Sequence, residues 1–482
     1  MRVALVNPPM GTVYSSVSAS LGKSPPVGLA SLAAYVRAKG FEVRVLDAAV
    51  MGAGFDDIEH FLRAGFDVVG VGAMTPSLDC SAKVLRLAKQ VNGGCVTVMG
   101  GPHLSAVPEE TLRALPEVDF GVVGEGEVTF HELLDCLRNG GDASGIPGLV
   151  FRDGGQVRRG PRRALIADLD SLPLPAYDLL PMDRYSMKIH HVWSSEKVAL
   201  RPYTDLFTSR GCPYRCTFCA SHVVWGRTVR FRSAEHVLRE IDFLVARYGV
   251  KAIEICDDLF TINKPRLHAI LAGLAQRKSP VSFTCMSRVD TVDRETLEML
   301  KAARFRLIRF GVESCSQPIL DAMRKGTTVA DVRRAFHLAK EVGLAASACV
   351  MIGYPGETRE TFAATLRVLR EIDPVAVDFF ITIPIIGSEL YELARQNGYL
   401  ANEDWSNWTL IPRSPALGTP QLPAAELKGL LKTAYLRFYF RPRFILRCLR
   451  RIYSWENLVL LAKGFKALLS VMLSRRQGSP PA

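Results

Sequence analysis

Short apolar runs alternate with amphipathic stretches along most of the chain. Val3-Ala-Leu-Val6 is such a run, and Leu29, Leu32, Ala33 and Val36 then recur at helical spacing over residues 29–39, with Gly40 placed as the C-cap. Phe41–Leu46 alternates as a strand does, and the runs at 67–72, 96–101 and 120–124 read as buried strands that end in glycine. Strands alternating with helices predict an α/β fold, with a Rossmann-like, doubly wound parallel sheet over residues 1–145. Ligands of such sheets bind beyond the carboxyl ends of the strands. Those ends are Asn7-Pro8-Pro9, Ala73-Met74-Thr75, Gly100-Gly101-Pro102-His103 and Gly124-Glu125-Gly126-Glu127. Taken singly, each reads as a strand-to-helix turn.

Residues 146–200 read as a connection. It holds a hairpin around Asp153-Gly-Gly and a proline-bearing linker, Leu172–Pro181. From 201 to 400 the alternation resumes. Phe231–Tyr248 has an amphipathic helical pattern, and apolar runs at 250–256, 281–285, 306–313, 346–353 and 377–384 read as strands. With a strand ahead of Cys212 they make six, which predicts a partial (β/α)6 barrel with its chemistry at the C-terminal strand ends. Asp257, Asp258, Glu313 and Glu357 stand at those ends, where any one alone reads as a helix cap. Cys256, Cys285, Cys315 and Cys349 read as small core residues. Residues 401–482 read as a helical cap.

Composition changes this picture in two places. The chain of 482 residues is 48% hydrophobic and 22% charged, as expected of large globular cores. It shows no signal peptide and no uninterrupted apolar run of about 18 residues. The net charge is +12, of which residues 425–482 carry +10 with twelve Lys/Arg and two Asp/Glu, so the body is close to neutral. In that tail Leu436–Ile452 mixes aromatics with six arginines, and Leu458–Leu473 is apolar with Lys463 and Lys466. One reading is a cap with a solvated basic face, and the sharper one is a surface helix on anionic lipid. No groove-reading motif points to nucleic acid. Eleven cysteines without a secretory signal point to a reducing compartment, the cytoplasm, and to metal work.

The cysteines that carry chemistry lie in Thr208-Ser-Arg-Gly-Cys-Pro-Tyr-Arg-Cys-Thr-Phe-Cys-Ala220. Cys212, Cys216 and Cys219 have the spacing C-x3-C-x2-C, which lets three thiolates converge. Zinc sites usually take four ligands, often as two CxxC pairs, and no second pair exists here. Chance clustering is the other plain reading. Iron–sulfur clusters normally take four thiolates, so three leave one iron open for substrate or cofactor.

The run, with Phe218 ahead of its last cysteine, resembles the signature of the radical S-adenosylmethionine enzymes. That resemblance implies a 4Fe–4S cluster on Cys212, Cys216 and Cys219 whose open iron is chelated by S-adenosylmethionine. It places Phe218, Asp257, Asp258, Ser287, Arg288, Glu313, Met351 and Glu357 around that cofactor. The first domain resembles the cobalamin-binding domain of the same enzymes, on Asn7-Pro8-Pro9, Pro25–Leu29 and the three later strand ends. Asn7, Pro8, Met74, Thr75, Gly100, Gly101, Glu125, Gly126 and Glu127 would then meet cobalamin. Asp47-Ala-Ala-Val-Met lacks the Asp-x-His-x-x-Gly motif of the wider class, so no histidine reaches cobalt from there, and His103 is expected to make a loop hydrogen bond. Ile386 replaces a proline usual in the family.

The implied activity is methyl transfer from methylcobalamin to an unactivated carbon after hydrogen abstraction by the 5′-deoxyadenosyl radical. Relatives that cyclise or rearrange rings supply an alternative, and a non-catalytic cobalamin sensor a second. The expected partners are a small molecule, with lipid or isoprenoid favoured by the tail, and an external electron donor. The tail adds peripheral membrane contact through residues 425–482.

Overall fold

The computed structural model describes residues 1–9, 23–187, 201–277, 280–409, 412, 414–450, 452, 458, 462 and 465. Most of the apolar run at 458–473 lies outside them. Seven strands form the first sheet: β1 (Arg2–Asn7), β2 (Glu42–Asp47), β3 (Val68–Gly72), β4 (Val96–Gly100), β5 (Phe120–Val122), β6 (Leu149–Asp153) and β7 (Gln156–Arg159), in the order β2-β1-β3-β4-β5-β6-β7. The first five are parallel. Alternate side chains of a strand reach opposite faces. Accordingly Val3 and Leu5 pack beneath the helices Val27–Ala38 and Gly126–Arg138, while Ala4 and Val6 join the core of Phe55–Leu62 and Leu78–Val91 on the other face.

The hairpin expected in the connecting stretch instead extends this sheet. β6 pairs antiparallel with β5, and Asp153 faces Gln156 across a turn in which Gly154 and Gly155 have φ of 54° and 82°. A two-residue turn of that hand needs residues tolerant of positive φ. The alternation of Leu149 and Phe151 was readable, but which sheet the hairpin would join has no local signature.

The second sheet has six strands, all parallel: β8 (Tyr203–Leu206), β11 (Ala252–Ile255), β12 (Ser282–Ser287), β13 (Phe305–Glu313), β14 (Ala346–Ile352) and β15 (Val377–Ile381), in chain order across the sheet. Between β8 and β11 a two-stranded ribbon, β9 (Ser209–Arg210) and β10 (Arg230–Phe231), closes the root of the cysteine loop. The helix expected from Phe231 starts at Ala234, because Ser233 takes the N-cap and accepts the His236 N–H. Outward-facing side chains such as Ile253, Phe283, Ile308 and Val350 build the core beneath the outer helices. The sheet stays open as a partial barrel, and β15 at its edge is covered by the helix Ala424–Tyr439. Tyr439 Oη accepts the Val377 N–H at 3.0 Å and donates to Val377 O at 2.8 Å, which blunts the edge.

The expectation of helix throughout 401–482 fails at its start. Residues 401–409 and 414–423 form an irregular arm with one short turn, Trp405–Asn407, and a bridge between Leu400 and Leu417. Pro415, Gly418, Pro420 and Pro423 break helical pairing there. Among the described residues no helix is long and apolar enough to cross a membrane.

Candidate functional site

The site lies where the C-terminal ends of both sheets face each other. The cysteine loop, residues 211–229, hangs from the β9–β10 ribbon. Its turns are fixed locally: Thr217 N–H donates to Met323 O at 3.0 Å, and Cys219 N–H to Cys216 O at 3.2 Å. Thr217 Oγ1 lies 2.6 Å from Tyr354 Oη. All three cysteines are half-buried and free. Burial pushes the Cys212 thiol up and that of Cys219 up to about 11, and the neighbouring sulfurs and Asp258 add to both. Three free, half-buried thiols on one loop are a soft donor set that suits an iron–sulfur cluster.

Around the loop the expected residues divide into two groups. Phe218 packs against Ile319, Met323, Met351, Tyr354 and Leu390, so Phe218 and Met351 meet in one apolar wall. Glu313 ends β13 with φ of 61°, a conformation rare outside glycine. It accepts from Lys325 Nζ at 2.9 Å, and that ammonium lies 5.7 Å from the Phe218 ring. Asp258 is exposed beside Cys212 and Cys219 and accepts from the Ser221 hydroxyl. Glu357 is 2% exposed and accepts the Gly353 N–H at 2.6 Å, and burial holds its carboxyl up at about 7.

The other group works behind the site. Asp257 is buried and accepts from Thr208 N–H, the Thr208 hydroxyl and the Ser209 hydroxyl, so its carboxylate is consumed in holding the start of the loop. Ser287 Oγ lies 2.7 Å from Thr261 Oγ1 and 3.2 Å from Thr291 Oγ1. Arg288 pairs with both oxygens of Asp290, donates to Lys325 O and stacks 3.7 Å from the Tyr214 ring. It braces the cysteine loop from below.

On the first sheet, Asn7, Pro8, Met74, Thr75, Gly100 and Gly101 share one edge. Asn7 Nδ2 donates to Asp47 at 2.8 Å, and Met74 is 47% exposed. Gly101 has φ of 97°, and a Cβ there would stand 2.8 Å from Ala73 N and O, so only glycine lets these two loops touch. Thr75 Oγ1 lies 3.1 Å from His103 Nδ1, which is the loop bond expected of that histidine. His103 is buried beneath Trp405, ring centroids 4.9 Å apart, and burial lowers its pKa to about 4. An open loop edge with one exposed methionine and close-packed glycines fits a large flat ligand. Glu125 and Glu127 are the exception. Their carboxylates turn to the other half of the molecule, where Arg210 and Arg230 bind them. The contacts of these arginines, and of Tyr214, Tyr354 and Trp405, were not read from the sequence, since a partner so far along the chain leaves no local pattern. Lys325, 12 residues from Glu313 with a turn and a helix between, was missed because it stands at neither a helical nor a strand spacing from it.

Comparison with known proteins places both halves. Residues 17–134 match the B12 binding domain and residues 206–369 the radical SAM superfamily. An uncharacterized methyltransferase of Pyrococcus horikoshii is 36% identical over 93% of this chain and 94% of its own. The anaerobic magnesium-protoporphyrin IX monomethyl ester cyclase of Rubrivivax gelatinosus is 27% identical over 92% of this chain and 78% of its own. Among solved structures, the radical S-adenosylmethionine methyltransferase TsrM of Kitasatospora setae, with cobalamin and a 4Fe–4S cluster bound, superposes with a TM-score of 0.67 at 22% identity, covering 83% of this chain and 76% of that one.

Proposed function

The chain belongs to the cobalamin-binding radical S-adenosylmethionine enzymes, and on that premise we propose that it is a methyltransferase acting on an unactivated carbon. Its cofactors are a 4Fe–4S cluster, S-adenosylmethionine and cobalamin. Together they supply a methyl group and the one-electron opening of a C–H bond. The observation that carries methyl transfer is the 36% identity, over nearly both full lengths, to a relative named a methyltransferase.

The chain's own residues have separate tasks in this reading. Cys212, Cys216 and Cys219 hold the cluster. Asp258, exposed beside them, offers a carboxylate to the ammonium of S-adenosylmethionine, and Glu313 with Lys325 offers charge at the end of β13. Phe218, Met351 and Tyr354 wall the space and keep water from a reactive carbon. The loop edge formed by Asn7, Pro8, Met74, Thr75, Gly100 and Gly101 receives cobalamin opposite that wall. An external electron donor provides the electron.

The substrate we favour is a lipid, isoprenoid or other membrane-associated molecule. Among the described residues, Leu436, Phe440, Ile445, Leu446, Leu449, Ile452 and Leu458 are exposed large hydrophobics. Arg437, Arg443 and Arg450 flank them, a pairing suited to the surface of an anionic membrane.

Anaerobic reconstitution with iron, sulfide and hydroxocobalamin tests the chemistry before any substrate is known. Both 5′-deoxyadenosine and S-adenosylhomocysteine are expected with reductant, and Cys216→Ala should lose the first while keeping cobalamin. Formation of 5′-deoxyadenosine without S-adenosylhomocysteine would overturn methyl transfer. It would favour ring cyclisation, the activity named for the 27%-identical relative.

A further inference from the structure

The ribbon beneath the cysteine loop sets two cations against each other. Arg210 and Arg230 stand opposite in register on β9 and β10, with side chains only 14% and 8% exposed. Like charges facing across a strand pair repel, more so where water is excluded. Their counter-charges come from the first sheet. Glu125 Oε1 accepts from Arg210 Nη1 at 2.8 Å, and both Glu125 oxygens accept from Arg230 Nη1, at 2.8 and 2.7 Å. Glu127 Oε1 accepts from Arg210 Nη2 at 2.6 Å. Glu125 also takes the Ile166 N–H at 2.8 Å. Two buried cations and two buried anions thus join the loop that ends β5 to the root of the cysteine loop.

The link from Arg210 to the first sulfur is short and stiff. Gly211 follows with φ of 99°, and a Cβ on it would stand 2.3 Å from Thr228 O. Cys212 comes next. The Arg210 guanidinium is also held 4.9 Å from the Trp225 ring. On the opposite side, Gly124 lies against Val224 O, 3.7 Å from where its Cβ would be.

We propose that Arg210 is a positioning residue which, through Glu125 and Glu127, fixes the cysteine loop against the cobalamin-side loop so that cluster and cobalamin keep one separation. The inference rests on both cofactors binding, and not on the fate of the methyl group. A bidentate guanidinium suits the task because its two donors are rigidly spaced and contact two different carboxylates.

The test uses the full chain reconstituted with cluster and hydroxocobalamin, and reads the separation between cob(II)alamin and the reduced cluster by pulsed EPR. Wild type should give one narrow distance. Arg210→Gln should broaden it while iron and cobalamin content hold, and Arg210→Lys should narrow it part of the way back. Glu127→Gln removes one of the two pairs of Arg210 and should broaden it less. Should Arg210→Gln fail to load its cofactors, Glu127→Gln decides alone. A wild-type distribution in Glu127→Gln, with both cofactors present, overturns the proposal and leaves the pairs as scaffolding. A wild type that takes up cluster without cobalamin overturns the underlying reading instead, and its absorption spectrum shows it.

Discussion

Replacing Glu357 by glutamine should stabilise the protein, by an amount that grows as pH rises from about 4.5 to 7 and then levels off. The carboxyl is almost fully enclosed, among the described residues it accepts only the Gly353 N–H, and its pKa rises from 4.5 to about 7. A raised carboxyl pKa means that the folded state prefers the protonated form. Between the two values the folded chain holds a proton that the unfolded chain has released, so stability falls as pH rises from about 4.5 to 7 and is flat above. At 1.36 kcal/mol per unit, the group costs about 3 kcal/mol at pH 8 and about 1 kcal/mol at pH 5. Glutamine keeps an oxygen for the Gly353 N–H and carries no charge. Urea unfolding of wild type and Glu357→Gln at pH 5 and pH 8 should show the variant gaining about 2 kcal/mol more at the higher pH. Equal curves at pH 8, or a less stable variant there, would refute the reasoning, because the ionised carboxylate would then have a partner that offsets its burial. Loss of S-adenosylmethionine cleavage in this stabilised variant would separate its role at the site from its role in the fold.

Gly101→Ala should cost at least about 2 kcal/mol, since both its left-handed backbone and the Ala73 contact forbid a Cβ, and cobalamin uptake measured by absorption should fall with it. Tyr354→Phe should cost about 1 kcal/mol through its bonds to Thr217 and Ala322 O, seen in urea unfolding with iron content unchanged. Leu446→Asp with Leu449→Asp should abolish sedimentation with anionic vesicles, and wild-type binding should weaken with salt. Unchanged sedimentation would remove the basis for a membrane-associated substrate.

Five of the barrel strands were legible as short, mostly apolar runs ended by turn chemistry, and the strand expected at 250–256 spans Ala252–Ile255; β8, Tyr203-Thr-Asp-Leu206, has no such run and was expected only from its place ahead of Cys212. The cysteine loop was legible because its ligands lie within eight residues. Harder to see was which polar residue faces the site. Asp257 and Asp258 are neighbours in sequence, yet the first is spent on Thr208 and Ser209 while the second is exposed. Both lie past the end of β11, in the loop and turn that follow Ile255, where no strand register says which way a side chain points. Glu125 and Glu127 looked like ligand contacts because their loop ends a parallel strand. Their partners Arg210 and Arg230 lie 83 to 105 residues away, beyond any local pattern.

Trp405 closes over His103, and the short turn it opens packs against Thr75–Ser77. These residues are separated by about three hundred positions. A ribosome adding roughly 5–20 residues per second makes His103 some 15–60 s before Trp405. The first sheet can fold within that interval, since its strands and both its cores draw almost wholly on residues 1–180. The His103 end of its ligand edge therefore stands uncovered on the nascent chain and gains its Trp405 cover only when synthesis nears its end, while Met74 stays exposed throughout.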